Sequence, residues 1–359
     1  MRLVPASARA RRDRRTASRA RLFLGVTAVA VLTVVAGCRM PGTSGGYSSQ
    51  HVSGTINVGA IPGVGDVPLY LALQSGAFRQ TGLTVHVISY SSISSELRDL
   101  QAGKIQVAYG DYGNMFYAQA HALAAGGKNG LNMMIVADGY DAAPNTMEVL
   151  TLPNSGIVTP KNLQGKTIGT TEPQLMSMST AGQPYSLETV ATQSVLNNDN
   201  VDLTRVHWLP VASGPALIGA LADHQVSAIL ATEPTIFQAE SQLGAVPVVD
   251  SATGATANLP LDGYFALRSF ASKDGAQLDA FRSALETGQA AASQQAPVRA
   301  ALEHSVGMSM SDASLVTLGI YPTSVNASDL QRVVSLMFFF NAIPSVNGSQ
   351  LSVQGMIYH

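Results

Sequence analysis

The chain contains one cysteine, Cys38, and this scarcity excludes several kinds of site. A lone thiol cannot form a disulfide within the chain, and it cannot supply the paired cysteines of a structural zinc or redox site. The seven histidines include no H-E-x-x-H pattern and no other close pair with the spacing of metal ligands. We therefore predict no metal site and no cofactor.

Charged residues are also scarce, at 12% of the chain, and they are unevenly distributed. Eight of the 21 basic residues and one of the 23 acidic residues precede Cys38, so the remaining 13 basic and 22 acidic residues leave a net charge of −9. A body this acidic, without a basic patch, argues against nucleic acid as a partner.

Residues 1–37 have the layout of a secretory signal peptide and are not expected to belong to the fold. An arginine-rich start is followed by a run of uncharged residues, 22–35, and by small residues before Cys38. A membrane-spanning helix needs about 20 apolar residues, so an uncleaved anchor is the less favoured alternative.

The sequence Val-Ala-Gly-Cys that ends at Cys38 resembles the bacterial lipoprotein signal, in which the chain is cut before the cysteine and the cysteine is lipidated. The resemblance implies lipidation of Cys38 and an extracytoplasmic protein attached to the cell membrane. The alternative is an incidental thiol. Residues 38–54 are small and polar, and we predict that they form a flexible tether.

Residues 55–111 alternate between strand and helix patterns. We predict strands over 55–60, 83–87 and 105–109, a helix from Pro68 that stops at Gly76, and a helix over 94–101. Strands that alternate with helices favour a parallel sheet, whose ligands lie beyond the carboxyl ends of the strands.

The second half of the chain repeats part of this pattern. Residues 100–111 and 221–233 each contain a helix end, a tight turn, a buried strand and then an acid where the next helix begins. Two similar α/β lobes explain the repetition. We expect residues 55–145 to form the first part of lobe 1 and residues 146–260 to form lobe 2. Residues 261–359 return to lobe 1, and their last helix is predicted to begin with a capping box at Ser328.

Residues 68–85, PLYLALQSGAFRQTGLTV, resemble a signature of the substrate-binding proteins for nitrate, sulfonates, taurine and thiamine precursors. Residues 162–169 resemble the second-lobe signature of that family, and residues 263–267 resemble its crossing back to the first lobe. The resemblance implies an α/β, two-lobed type II periplasmic-binding-protein fold with a ligand cleft between the lobes. It also implies delivery of a small ligand to an ABC importer.

Ligand groups are expected at helix N-termini that face the cleft, where free amides and the helix dipole bind polar groups. The candidates in lobe 1 are Asp66, Val67, Ser91, Ser92, Ser94, Asp111 and Tyr112. The candidates in lobe 2 are Thr170, Thr171, Ser213, Gly214 and Glu233. Each serine, threonine or acid has the alternative role of a helix cap. Tyr112 and Tyr140 are either rim aromatics or core residues.

These loops contain no Arg or Lys, although anionic ligands such as sulfonates are often bound by a guanidinium. We therefore predict a neutral or amine-bearing organic ligand, contacted by Asp111 or Glu233. The chain also departs from the family pattern at Gln106, Ser227 and His224, which weakens any transfer of ligand identity.

The predicted function is capture of a small-molecule ligand for an ABC permease by a monomeric binding protein that is not an enzyme. One alternative is a lipoprotein that presents its ligand to a sensor. Another is an enzyme related to the fungal pyrimidine-forming proteins of the same fold. Those proteins rely on a cysteine-rich segment and a histidine, and the chain has no cysteine besides Cys38.

Overall fold

The computed structural model of the chain describes residues 52–127, 131–171 and 186–359. The predicted signal peptide, Cys38 and most of the predicted tether lie outside these residues.

The described residues form ten strands and eleven α-helices. The strands are Gly54–Ala60 (β1), Leu83–Ser89 (β2), Val107–Asp111 (β3), Met133–Asp141 (β4), Met147–Thr151 (β5), Thr167–Thr171 (β6), His207–Val211 (β7), Ala228–Thr232 (β8), Val246–Asp250 (β9) and Pro260–Leu267 (β10). The helices are Val67–Ser75 (α1), Ala77–Gln80 (α2), Ile93–Gln101 (α3), Tyr112–Ala124 (α4), Leu187–Asn198 (α5), Gly214–Ala222 (α6), Thr235–Leu243 (α7), Arg268–Ala292 (α8), Gln295–Val306 (α9), Met310–Ala313 (α10) and Ala327–Phe339 (α11).

The strands form two five-stranded sheets with the same layout. The first has the order β2-β1-β3-β10-β4 and the second has the order β7-β6-β8-β5-β9. In each sheet one strand runs against both of its neighbours, β10 in the first and β5 in the second. The α/β architecture with two lobes that the sequence predicts is confirmed. We call the unit around the first sheet the first lobe and the unit around the second sheet the second lobe.

The chain passes from the first sheet to the second between Asp141 and Met147, and it returns between Asp250 and Pro260. The returning strand, β10, enters the first sheet between β3 and β4. Because β10 is antiparallel to both, its first residues lie at the edge where β3 and β4 end. Residues far apart in the sequence therefore meet at this edge.

Apolar side chains at alternating or helical spacing form the cores. In β1 the side chains of Ile56, Val58 and Ala60 are fully buried, and Phe78 stacks on Phe281 of α8 with ring centroids 5.3 Å apart. Burial of each large apolar side chain stabilises the fold by about 1.5–3 kcal/mol. These contacts hold the helices on the sheet and leave the strand ends to form the site.

Helix ends follow local signals in some places and tertiary contacts in others. Gly76 ends α1 in the left-handed conformation, with φ of 74°, as predicted. The predicted capping box at Ser328 is wrong. Asn326 is the N-cap of α11 and accepts the Ser328 N–H at 2.9 Å. The predicted partner Gln331 instead hydrogen-bonds the backbone of Leu351, so it is not available to the cap.

The segment that precedes α11 is attached to the first lobe. Ile320 and Asp141 exchange backbone hydrogen bonds of 3.0 and 2.9 Å, and the Tyr321 hydroxyl donates to the Val64 carbonyl at 2.8 Å. Ile320 and Tyr321 therefore attach this segment to the end of β4 and to the loop that follows β1. Over the described ranges, no helix is both long enough and apolar enough to cross a bilayer.

Candidate ligand-binding cleft

A cavity of about 260 Å³ lies between the lobes, where β3, β4 and β8 end. The first lobe lines it with residues 61–65 of the loop after β1, with the ends of β3 and β4, and with the start of β10. The second lobe lines it with the first turn of α5 and the end of β8. This is the position expected for a ligand beyond the carboxyl ends of the strands.

Three polar residues form a row across neighbouring strands in the cavity wall. Asp262 of β10 pairs in register with Asp111 of β3 on one side and with Tyr140 of β4 on the other, and all three line the cavity. Side chains directly opposite each other on adjacent strands share a face, with Cβ atoms about 4.5–5.5 Å apart. Two carboxylates therefore stand side by side in the cleft.

Burial and the charges of neighbouring acids make these two carboxyl groups hard to ionise. Burial, followed by the charges of Asp111 and Glu188, raises the pKa of Asp262 to about 8, and the adjacent Tyr109 hydroxyl offsets only part of this. Burial and the charge of Glu188 raise the pKa of Asp111 to about 7. Two carboxylates this close hold about one proton between them near neutral pH.

Asp111 is also the N-cap of α4. Its Oδ1 accepts the backbone N–H of Asn114 at 2.8 Å, and its Oδ2 accepts a hydrogen bond from the Asn114 side chain. These bonds hold the carboxylate in the cavity wall. Asp111 therefore has the capping role that was one of its two predicted roles. Contact of the same carboxylate with a ligand stays a prediction.

The hydroxyl of Tyr109 lies beside Asp262 in the same wall. Tyr109 is 3% exposed, and its hydroxyl has no partner at hydrogen-bonding geometry among the described residues. The backbone of Gly65 lies against both groups. A Cβ at position 65 would lie 2.8 Å from Asp262 Oδ2 and would collide with the Tyr109 hydroxyl. Only glycine leaves this corner of the cavity open.

Glu233 of the second lobe connects the two lobes. Its Oε2 accepts the Phe237 N–H at the start of α7 at 3.1 Å, and its Oε1 accepts the Thr317 N–H at 3.0 Å. Thr317 belongs to the segment attached to the first lobe. Burial raises the pKa of Glu233. Both oxygens of this predicted ligand residue thus serve the protein itself, and contact with a ligand stays a prediction.

The predicted residues at α1 lie behind the cavity wall. Asp66 and Val67 are fully buried, and neither lines the cavity. Neither carboxylate oxygen of Asp66 has a partner at hydrogen-bonding geometry within the described part of the chain. Burial raises its pKa, and the nearby backbone amide of Gly63 offsets part of this. The charge of Asp262 raises that pKa further. Asp66 therefore adds a third acid close to the row in the wall.

The predicted serines surround the one α3 residue that lines the cavity, Ile93. Ser92 is the N-cap of α3 and accepts the Ser95 N–H at 3.3 Å, which is the capping alternative stated for it. Ser91 and Ser94 are exposed and do not line the cavity.

The two tyrosines for which rim and core were both open have different places. Tyr112 lies in the core, where its ring packs on Phe265 and its hydroxyl donates to Asp138 at 2.9 Å. Tyr140 is 4% exposed but lines the cavity, and its hydroxyl accepts the Gly319 N–H at 2.7 Å. Tyr112 therefore supports the wall from behind, whereas Tyr140 forms part of it.

The remaining second-lobe candidates do not line the cavity. Thr170 is buried and Thr171 is exposed, and Thr171 is followed by residues outside the described part of the chain. Ser213 is the N-cap of α6 and accepts a backbone N–H at 3.4 Å. Gly214 lies against Thr235, so this end of α6 packs on α7.

Three ionisable residues of the cavity were not among the predicted ligand or rim residues, namely Tyr109, Glu188 and Asp262. Glu188 lies in the first turn of α5, so it reaches the cavity from the second lobe. Asp262 is the one acid in an otherwise uncharged strand, and this pattern could have marked it as a candidate ligand residue. Its pairing with Asp111 depends on a distant strand and could not be read locally.

The described cavity residues include no Arg, Lys or His. In the same part of the chain, no group of three or more His, Cys, Asp or Glu side chains is placed to hold a metal ion. Described salt bridges involve other acids than those of the cavity. The chemistry of the wall therefore suits a positively charged organic group, which carboxylates bind by charge-assisted hydrogen bonds.

The two lobes and the cleft between them are those of the type II periplasmic-binding-protein fold. Residues 66–300 match the family described as NMT1/THI5 like, and the chain belongs to this family. None of the curated proteins matches the chain. The homologues include periplasmic ligand-binding components of ABC import systems.

Three solved structures illustrate the shared fold. The periplasmic aliphatic sulphonate binding protein SsuA from Escherichia coli is 18% identical with a TM-score of 0.65, over 85% of this chain and 97% of that chain. The periplasmic nitrate-binding protein NrtA from Synechocystis PCC 6803 is 12% identical with a TM-score of 0.65, over 85% and 86%. The ligand binding component of an ABC-type import system from Staphylococcus aureus, with zinc bound, is 11% identical with a TM-score of 0.62, over 82% and 95%.

Replacement of Asp262 by Asn should stabilise the ligand-free protein at pH 8 and leave its stability nearly unchanged at pH 4. The pKa of Asp262 is about 8 in the folded protein and has an ordinary value of 3.8. The stability that this group contributes is therefore complete below about pH 4 and is lost as the pH rises through 8. We expect a gain of at least about 1 kcal/mol at pH 8.

Urea unfolding at pH 4, 6 and 8 measures this difference. The control is Asp223→Asn, which removes an exposed acid of the second lobe. The raised pKa of Asp262 would be contradicted if the difference in unfolding free energy between D262N and the wild type were the same at all three pH values.

Proposed function

We propose that the chain is an extracytoplasmic, lipid-anchored solute-binding protein that captures a small organic cation and delivers it to an ABC importer. The observation that carries this proposal is the pair of cavity carboxylates, Asp111 and Asp262, on adjacent strands. Membership of the NMT1/THI5-like family and the two-lobed fold support a binding function.

The carboxylate pair is costly to the protein unless a cation neutralises it. Like charges directly opposite each other on neighbouring strands are destabilising, and burial adds a desolvation penalty. A protonated amine between Asp111 and Asp262 offsets both costs, because each charge-assisted hydrogen bond is worth about 1.5–3 kcal/mol. The cleft is thus suited to a ligand with an ammonium group.

The proposed ligand class differs from the ligands in the names of two relatives. Those proteins are named for aliphatic sulphonates and for nitrate, which are anions. Here the described lining of the cavity has four acids and no basic residue, and the acids are Asp111, Glu188, Glu233 and Asp262. We infer that the fold is kept and that the charge of the ligand is reversed.

Delivery to a permease and attachment to the membrane complete the proposal. A relative from Staphylococcus aureus is the ligand binding component of an ABC-type import system, which supports an ABC permease as partner. The lipoprotein-like sequence before Cys38 supports attachment by a lipid, which would keep the protein near that permease.

Replacement of Cys38 by Ala should release the protein from the membrane, since the thiol is the proposed attachment point of the lipid. We expect the full-length wild type to sediment with membranes and the C38A protein to lose most of this association, as measured by fractionation and immunoblotting. Ser44→Ala, in the same segment, is the matched control. If C38A stays with the membrane as the wild type does, residues 22–35 act as an uncleaved anchor and lipidation is not needed.

Calorimetric titration should separate cationic from anionic ligands of equal length. We expect 1-aminobutane to bind at least about tenfold more tightly than 1-butanol or butane-1-sulfonate, because only the amine can neutralise the carboxylate pair. The preference should disappear in the Asp111→Asn/Asp262→Asn double variant. Tight sulfonate binding that survives this double substitution would refute the proposed ligand class.

A further inference from the structure

Acids reach the cavity from both lobes, and they are not equally available to a ligand. The first lobe supplies the Asp111–Asp262 pair, and the second lobe supplies Glu188 and Glu233. Glu233 already accepts two backbone hydrogen bonds. Glu188 is half-buried in the first turn of α5, and it is the second-lobe carboxylate left for a ligand.

Glu188 is electrostatically close to the first-lobe pair. Its charge is the second largest reason, after burial, for the raised pKa of Asp111, and it also raises the pKa of Asp262. One ammonium group at the Asp111–Asp262 pair would neutralise about one charge and would leave the carboxylate of Glu188 without a counter-ion. The described lining has no basic side chain to supply one.

The Tyr109 hydroxyl gives a separate indication that the first-lobe side of the cavity binds a ligand. The Tyr109 hydroxyl is buried there without a hydrogen-bond partner at proper geometry in the described residues. It lines the cavity beside Asp262, with Gly65 leaving the space open. An ammonium group at the carboxylate pair can donate its remaining hydrogen to this oxygen.

We propose that the ligand is a compact diammonium compound, with one ammonium bound by Asp111, Asp262 and Tyr109 and the other bound by Glu188. One end of such a ligand contacts the first lobe, and the other end contacts the second lobe. The cavity volume of about 260 Å³ is slightly below the usual range for drug-sized ligands, about 300–1,000 Å³, which fits a short aliphatic diamine. This inference rests on the proposed function, which is the binding of an organic cation. It adds that the ligand carries two positive charges.

The test compares 1,4-diaminobutane with 1-aminobutane by calorimetric titration at pH 7.5. We expect the diamine to bind about tenfold to a hundredfold more tightly than the monoamine, since the second ammonium gains a charge-assisted contact. In Glu188→Gln this ratio should fall to about threefold or less. In Glu303→Gln, an exposed acid on α9, the ratio should equal that of the wild type.

The ratio separates a ligand contact from a structural role of Glu188, because a change in folding alone would lower both affinities together. An equal loss for both amines in E188Q would overturn the proposal, as would a wild-type ratio close to one. In either case the monoamine would still bind, and the proposed cation-binding function would stand. Absence of binding by both amines at millimolar concentration would overturn the inference and the proposed function together.

Discussion

The antiparallel pairing of β10 with β3 brings Asp262 beside Asp111, and the cleft is arranged around these two carboxylates. β10 returns to the first sheet against the direction of its neighbours, so its first residues meet the last residues of β3 and β4. Tyr140 completes the row on the other side, and Glu188 faces the cavity from the second lobe. One strand register thus places two of the four described acids of the cavity side by side.

This arrangement places destabilising features where a ligand can use them. Burial and the charge of Glu188 raise the pKa of Asp111, and burial with the charges of Asp111 and Glu188 raises the pKa of Asp262. The Tyr109 hydroxyl lacks a partner at hydrogen-bonding geometry among the described residues. Binding sites often keep such features at the expense of stability. Glu233 instead stabilises the protein, because it accepts one backbone hydrogen bond from α7 and one from Thr317, and the second connects the second lobe to the segment before α11.

Most of the fold could be predicted from the sequence because its signals are local. Alternating apolar residues indicated the strands, Gly76 marked a helix end, and the repeated pattern indicated two lobes. The sequence-based prediction of a helix end was wrong where a contact with a distant residue determines the cap. Gln331 bonds the backbone near Leu351, so the cap of α11 moves to Asn326. No local pattern reports such a contact.

The site was predictable only in part, for the same reason. Asp111 was found because it follows a strand and opens a helix, both of which are visible locally. Its partner Asp262 could not be found in this way, since only the strand order brings the two together. The predicted Ser92 and Ser213 cap their own helices, and the sequence alone cannot distinguish a cap from a ligand contact.

We expect Asp111 and Asp262 to share a proton that a cationic ligand displaces. Calorimetry of 1,4-diaminobutane binding at pH 7.5, in two buffers with different ionisation enthalpies, counts the protons exchanged. An amine of this kind is fully protonated at that pH, so any proton released comes from the protein. This shared proton predicts net proton release that is reduced in D262N. Proton uptake, or binding without proton exchange, would contradict it.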